Sequence, residues 1–336
     1  MKASAVRIDE GTVEGRTVEG GRTGRGGIRG RSPHRRALLA SALAITSAVL
    51  LSGNVVASAA GITRTAAASP SSVMVDGVSV SEDPALAATV PSTVQKSGLL
   101  DITYNDFAPD EYVSNGKLVG WEVDLGEAVA ATLGLAWHPT SSGSFDTFIP
   151  SLQNGRFNTS FTSLIVTGAR TKVIDIVSLY NVGTGFAAKV GSSVKTVNSN
   201  VDLCGDTVAV IVASAFIGQL DGLNPACKSA AKPTINVQTY PSDAAAELAV
   251  NSGRANLYAT SVDDIGWLIH QTGHQFFQEP LNLQPGPEGV GVSKGIGLDK
   301  PITQAVNHMI ATGTYKALMS KWGVTGGLLT RAVDYQ

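Results

Sequence analysis

The sequence predicts an α/β protein made of two units, and three observations carry that prediction. Strand-type and helix-type segments alternate from Leu99 onward, the pattern of a mostly parallel sheet flanked by helices. The alternation starts afresh after Lys189. A glycine- and proline-rich run, Pro285 to Gly291, then leads the chain back toward the first unit ahead of two closing helices.

The first 60 residues stand apart from this pattern. A basic stretch (Arg22, Arg25, Arg29, Arg31, Arg35, Arg36) precedes an uncharged run from Ala37 to Ala60 that ends in Ala57-Ser58-Ala59. That is the layout of an export signal with a small-residue cleavage site. Arg35-Arg36 also fits a twin-arginine signal, and an uncleaved membrane anchor is the alternative for a run of this length. Leu51-Ser52-Gly53-Asn54 resembles a bacterial lipobox with Asn54 where the lipidated cysteine would stand. An exported, unlipidated protein of the cell envelope or the exterior is therefore expected. Residues 61–95, rich in Ala, Ser, Val and Pro, read as a flexible leader with a short helix at Asp83 to Ala88.

In the first unit, 96–187, Leu99–Tyr104 is a strand. Gly116 to Gly134 then holds a turn, a strand and a helix. Along that helix Leu125, Ala128, Val129, Thr132 and Leu133 recur at the spacing of one buried face, and Gly134 supplies a stop. A helix opens over Phe148–Asn154, Arg156–Phe161 is a short strand, and Thr171–Val177 leads into another extended stretch. In the second unit, 188–288, Thr207–Val212, Ile235–Thr239 and Asn256–Thr260 read as strands. Helices open at Ser214–Leu220 and over Asp243–Ser252. The return segment, 289–336, carries helices over Pro301–Thr312 and Thr314–Trp322.

Charge and cysteines narrow the function. Nine of the 25 Lys/Arg but four of the 27 Asp/Glu fall within residues 1–60, which leaves 16 basic and 23 acidic side chains and a net charge of −7 for the rest. An acidic chain with few aromatics argues against nucleic-acid binding. Cys204 and Cys227 enclose 22 residues, and in an exported chain they most simply form one disulfide. The competing reading, a metal pair, lacks partners at ligand spacing. His270 and His274 are four apart, but Gly273 between them marks a helix end and no third ligand accompanies them. No cofactor is expected, because no phosphate loop, dinucleotide fingerprint or nucleophile motif is present.

The order Gly120-Trp-Glu-Val-Asp-Leu125 resembles the signature of family 3 extracellular solute-binding proteins, the capture subunits of polar amino-acid ABC importers. Trp121 stands where the family has Phe or Tyr. Phe148-Ile-Pro-Ser-Leu-Gln-Asn-Gly155 is similar to its Ile-Pro-Ala-Leu-x-x-Gly helix, and Thr314-Tyr-Lys-Ala-Leu-Met-Ser-Lys-Trp-Gly323 to its closing motif. Asp83-Pro-Ala-Leu-Ala-Ala88 and Leu203-Cys-Gly205 with Cys227 resemble a Gram-positive-type subgroup. The resemblance spans about residues 83–326. It implies a two-lobed periplasmic-binding-protein-like fold of type II, with an inserted second lobe, two hinge crossings and a ligand cleft between the lobes. It also implies a monomer that binds a small polar solute and partners an ABC permease.

The same resemblance places the site. Phe107 and Phe145 sit where the family has its two stacking aromatics, with Ser163 at the family's spacing from Phe145. Thr167-Gly-Ala-Arg170 resembles Thr-Pro-Glu-Arg, so Arg170 is expected to take a carboxylate in a fork of hydrogen bonds and Thr167 to cap its helix. Ser214 is expected to add a donor from the second lobe, preceded by Ala213 where the family prefers glycine. Three departures stand out. Ile165 replaces a hydroxyl-bearing Thr, Ser261 replaces the aspartate that pairs with an α-ammonium, and Asp110 replaces an aromatic in Ala108-Pro-Asp-Glu111. An unpaired buried ammonium is costly. Asp263, Asp264, Asp110 or Glu111 must therefore supply the missing charge, or the ligand is not an ordinary α-amino acid. Alternatives to a binding protein are a cyclohexadienyl-dehydratase-like enzyme on the same scaffold, with Asp110 or Glu111 as its acid, and a ligand-sensing domain.

Overall fold

The computed structural model describes residues 71–336; the export-signal reading and residues 61–70 lie outside the described residues. The described chain opens with a hairpin of β1 (Ser72–Val75) and β2 (Val78–Ser81), then short helices α1 (Pro84–Ala87) and α2 (Ser92–Ser97). Next come β3 (Leu99–Tyr104), a small antiparallel meander of β4 (Asp106–Phe107), β5 (Glu111–Ser114) and β6 (Lys117–Val119), and helix α3 (Trp121–Thr132). The first half continues with β7 (Trp137–Ser142), α4 (Phe148–Gln153), β8 (Thr159–Ile165) and α5 (Gly168–Thr171). A 15-residue strand, β9 (Asp175–Lys189), leads into β10 (Thr207–Ile211), α6 (Ala215–Ser229), β11 (Asn236–Tyr240), α7 (Asp243–Asn251), β12 (Leu257–Ser261) and α8 (Val262–Gln271). The chain returns through β13 (Phe276–Gln278) and β14 (Leu283–Val292) to α9 (Asp299–Thr312), α10 (Thr314–Lys321) and β15 (Asp334–Tyr335).

One ten-stranded sheet runs through both lobes, in the order β11-β10-β12-β9-β14-β8-β3-β7, with β13 and β15 also paired to β9. Within each lobe the strands are parallel: β3 with β7 and β8, and β10 with β11 and β12. The expectation of a mostly parallel sheet fails in the middle. There β9 and β14 run antiparallel to each other, β14 antiparallel to β8, and β9 antiparallel to β12. The reason is topological: the chain leaves the first lobe along β9 and comes back along β14, so the two crossings point in opposite directions. Glycine permits the crossing, since a Cβ on Gly289 would lie 2.0 Å from the Val177 carbonyl oxygen.

The flexible-leader reading is corrected for residues 71–95. Val75, Val80, Val90 and Val94 are buried in the same core as Trp121, Leu125, Val129 and Leu133. The hairpin alternates its side chains so that one valine of each strand points inward, a period too short to stand out beside the Ala/Ser background. Two strand placements also shift: the strand read at Arg156–Phe161 is β8, Thr159–Ile165, and the stretch entered at Thr171 becomes strand only at Asp175.

The second lobe is closed by the Cys204–Cys227 disulfide, which joins the segment before β10 to the buried face of α6 across a Cα–Cα distance of 5.5 Å. Replacing both cysteines by serine should lower stability by about 3 kcal/mol on the loop-entropy argument. Urea unfolding with and without reductant measures this; coincident curves would rule out a stabilising role for the bond.

Candidate functional site

The site is assembled where β8 ends and α5 begins. Thr167 is extended and its hydroxyl accepts the Arg170 N–H at 3.2 Å, which caps the short helix and aims the Arg170 side chain back toward the sheet. Arg170 is only 7% exposed. Its Nη1 donates to the Ile165 carbonyl (2.9 Å) and its Nη2 to the Ala213 carbonyl of the second lobe (3.2 Å), while the guanidinium sits 5.7 Å from the centre of the Phe145 ring. Burial lowers its pKa to about 10, so it remains a cation at neutral pH. None of the ion pairs among the described residues involves it.

Arg170 forms part of the wall of a small cavity of about 20 Å³, which a ligand could enter only if the walls move apart. Phe107, Phe145, Ser163, Ile165 and Ser214 line the same space, so six of the expected side chains are brought together. Across from the first-lobe residues lies the start of α6, a 15-residue helix. Ala215 and Phe216, in its first turn, line the cavity beside Ser214, whose hydroxyl is buried without a partner. The free N–H groups and positive end of that helix favour an anion. Ala213, just before it, takes the left-handed conformation at φ 62°. Alanine thus adopts here the backbone that glycine would take freely, a strain of order 1 kcal/mol.

Three expected residues do not line this cavity. Thr167 is used as the cap and borders a neighbouring hollow. Ser261 caps α8, with its hydroxyl hydrogen-bonded to the Asp264 carboxylate and nearly sealed from solvent. Asp110 is buried behind the wall. Its Oδ1 accepts from the Trp121 indole N–H (2.6 Å) and its Oδ2 from the Ser163 hydroxyl (2.7 Å). Two of the departures from the family pattern, Trp121 and Asp110, are therefore partners: the indole supplies a donor that Phe could not, and the acid uses it. Gly120 makes this approach possible, since a Cβ there would lie 2.0 Å from the Asp110 carbonyl oxygen. Of the acids considered as a replacement for the ammonium partner, Glu111 is fully buried and accepts from Thr162 at 2.8 Å. Asp263 borders a separate hollow at the hinge.

Sequence reasoning missed Glu288. It lies on β14, opposite Ile165 and Tyr180, lines the cavity at 2% exposure, and leaves Oε1 without a partner. With Asp110, Glu111, Glu122 and Asp264 it forms a buried acidic layer. Desolvation raises each of these carboxyls, and repulsion from neighbouring acids, Asp263 among them, raises them further. The available signal was a lone acid in an extended Gly/Pro run that the sequence presents as the return to the first unit. Among the described residues no group of three or more His, Cys, Asp or Glu is arranged to hold a metal.

Residues 101–325 match the profile of bacterial extracellular solute-binding proteins, family 3. The arginine-binding protein ArgT of Corynebacterium glutamicum is 26% identical over 255 residues, covering 74% of this chain and 82% of its own. The Bacillus subtilis protein named "Probable amino-acid-binding protein YxeM" is 29% identical over 226 residues, 64% of this chain and 79% of its own. Among solved structures, an ancestral arginine-binding protein bound to arginine aligns with a TM-score of 0.60 at 26% identity, covering 67% of this chain and 98% of that one.

Proposed function

The chain belongs to the bacterial extracellular solute-binding proteins of family 3, and from that premise we propose that it captures a carboxylate-bearing polar solute, an amino acid or a close relative, and delivers it to an ABC importer. One observation carries the reading: a buried guanidinium with no carboxylate partner among the described residues stands in a cavity between the lobes, facing a helix N-terminus. A ligand carboxylate would be held by Arg170 from the first lobe and by the start of α6 from the second. Phe107 and Phe145 would wall the ligand and exclude water. Contacts to both lobes exist only when the cleft is shut, so the ligand favours the closed state by their full worth. We assign 96–187 and 289–336 to one lobe and 188–288 to the other, with closure about β9 and β14. The amino-acid-binding names of the relatives support the ligand class. The family's extracellular character supports export, and no helix among the described residues is long and apolar enough to cross a membrane.

Arg170→Ala should weaken binding of a carboxylate ligand at least about tenfold, the worth of one charge-assisted pair in a dry site. Calorimetry on amino-acid hits from a thermal-shift screen reads it directly. Unchanged affinity would remove Arg170 from the site.

We read the activity as capture without turnover. A second reading rests on Glu288, because Asp110 and Glu111, the acids expected for a dehydratase, are walled off from the cavity while Glu288 is not. Burial first, then the Asp110, Glu122 and Asp263 charges, raise its pKa well above the carboxylate range. A neutral carboxyl beside a bound substrate is a competent general acid for loss of a hydroxyl. Turnover of prephenate or arogenate that disappears in Glu288→Gln would establish this reading. With no turnover, Glu288 serves as a hydrogen-bond donor to the captured ligand.

A further inference from the structure

Helix α7 of the second lobe begins against β4 of the first, and its opening turn is capped from both lobes. The Ser242 hydroxyl, in its own lobe, accepts the Ala245 N–H at 3.2 Å, and the Asp106 carboxylate of β4 accepts the Ala244 N–H at 3.1 Å. Free N–H groups and the helix dipole favour a carboxylate at that end, so Asp106 ties the lobes while they are shut. One turn into the helix, half-buried Glu247 borders a hollow of about 220 Å³ that Asp106 borders from the first lobe. The charges around Glu247 are of one sign. Asp243 on its own helix is buried and takes the Tyr258 hydroxyl of β12, and Asp264 of α8 lies on the same hollow. Tyr112 and Tyr258 border it too, and no Lys, Arg or His does. Tyr104 of β3 faces Asp243 and Asp106. Of the strands packed on α7, β11 offers Tyr240 and β10 no ionisable group, while β9 brings Lys189, whose ammonium donates to the Asn251 carbonyl at the far end of the helix.

We propose that Asp106 is the latch that holds the cleft shut and that Glu247 is its proton switch, so that the lobes close on a proton as well as on the solute. The switch deepens the proposed capture function and rests on its hinge closure. With the lobes shut, burial first and then the Asp106 charge raise the Glu247 carboxyl to about 7 against an ordinary 4.5. When the lobes part, Asp106 leaves with the first lobe and water reaches Glu247, which returns toward its ordinary value. Between about pH 4.5 and 7 the closed state therefore holds a proton that the open state has released. The latch is fully engaged below that window and weakens as pH rises through it. The closed-to-open ratio falls by up to about tenfold per pH unit inside the window and levels off above it. Solute affinity should follow the same curve, because binding draws on the closed state.

Hydrogen exchange at single amides of the full-length, ligand-free protein tests this at about pH 5 and about pH 8, with rates corrected for the intrinsic pH dependence of exchange. The Ala244 N–H is protected while Asp106 reaches it, whereas the Ala245 N–H is capped from its own lobe. Protection at Ala244 should fall at least about tenfold from the lower pH to the higher, relative to Ala245. Glu247→Gln, neutral at every pH, should hold the higher protection at both. Asp106→Asn keeps an acceptor and removes the charge, so it should shrink the pH effect. Asp106→Ala should lose the Ala244 protection at both pH values. Equal Ala244 protection at the two pH values in the parent, or a fall that persists undiminished in Glu247→Gln, overturns the switch. Protection unchanged in Asp106→Ala overturns the latch. Calorimetry with the common amino acids keeps this apart from the capture function. Binding of one of them with no pH effect at Ala244 leaves capture standing without the switch. A pH effect that Glu247→Gln abolishes, with no amino acid bound, keeps the switch and sinks the amino-acid reading.

Discussion

Raising the pH from about 5 to about 8 should destabilise the ligand-free protein by at least ~4 kcal/mol, or roughly 10 °C in melting temperature. Most proteins lose stability toward acid; the sign here is reversed because the acids are buried without cations. Asp101, at the centre of β3, is fully buried, and desolvation lifts its carboxyl to about 7 against an ordinary 3.8, despite hydrogen bonds from Thr103, Phe161 and Thr159. Asp110 is likewise raised to about 7 by burial. Between those values the folded state holds protons that the unfolded state has released. Stability is therefore fully present below about pH 4 and is lost as pH rises through about 7. Between pH 5 and 8 each of these two acids loses about two units' worth, ~2.7 kcal/mol, and the two together ~5 kcal/mol. Thermal melts at pH 5, 6, 7 and 8 test the sign, and Asp101→Asn should flatten the profile because the amide never ionises. A parent curve that is level or rises over this range would show that the acidic layer is neutralised by some other means.

The same burial explains what was legible in the chain and what was not. Helices such as α3 and α9 repeat an apolar face over several turns, and each segment expected to be helical between Phe148 and Trp322 contains one in the structure. The hinge strands carry no such periodicity. Strand β9 is buried on both faces along most of its length, and β14 is broken by Pro285, Pro287 and three glycines, so neither shows alternation. The aromatic and cationic parts of the candidate site were readable because Phe107, Phe145 and Arg170, which line one cavity, sit at motif positions. Glu288 was not, since its place on the cavity wall comes from which strands the sheet brings side by side. Asp264 belongs to a cap motif with Ser261, and a helix start is where an acid is ordinarily found. Only its burial, at 5% exposure, makes it unusual.

Removing the Trp121 side chain should cost about 4 kcal/mol, the loss expected for a large buried aromatic replaced by alanine, and the pair it forms with Asp110 should account for part of that. Trp121 is fully buried, packs its ring 5.6 Å from that of Tyr180, and donates its indole N–H to Asp110. Trp121→Phe keeps most of the packing but orphans an oxygen of a buried acid, at a cost of about 1–3 kcal/mol. Asp110→Leu alone orphans the indole and the Ser163 hydroxyl. Combining Trp121→Phe with Asp110→Leu removes donor and acceptor together, so the double variant should be more stable than the sum of the single losses predicts, by about 1–3 kcal/mol. Urea unfolding of the four proteins at pH 6 measures this, and additivity within about 0.5 kcal/mol would mean that the two side chains are not energetically coupled. The pair also bears on binding. Ser163 holds the left-handed conformation at φ 45°, donates its hydroxyl to Asp110 and faces the ligand cavity. Freed from Asp110, that hydroxyl can turn toward the cavity as an additional donor, so the Asp110→Leu and double variants should shift ligand preference while Arg170 remains in place.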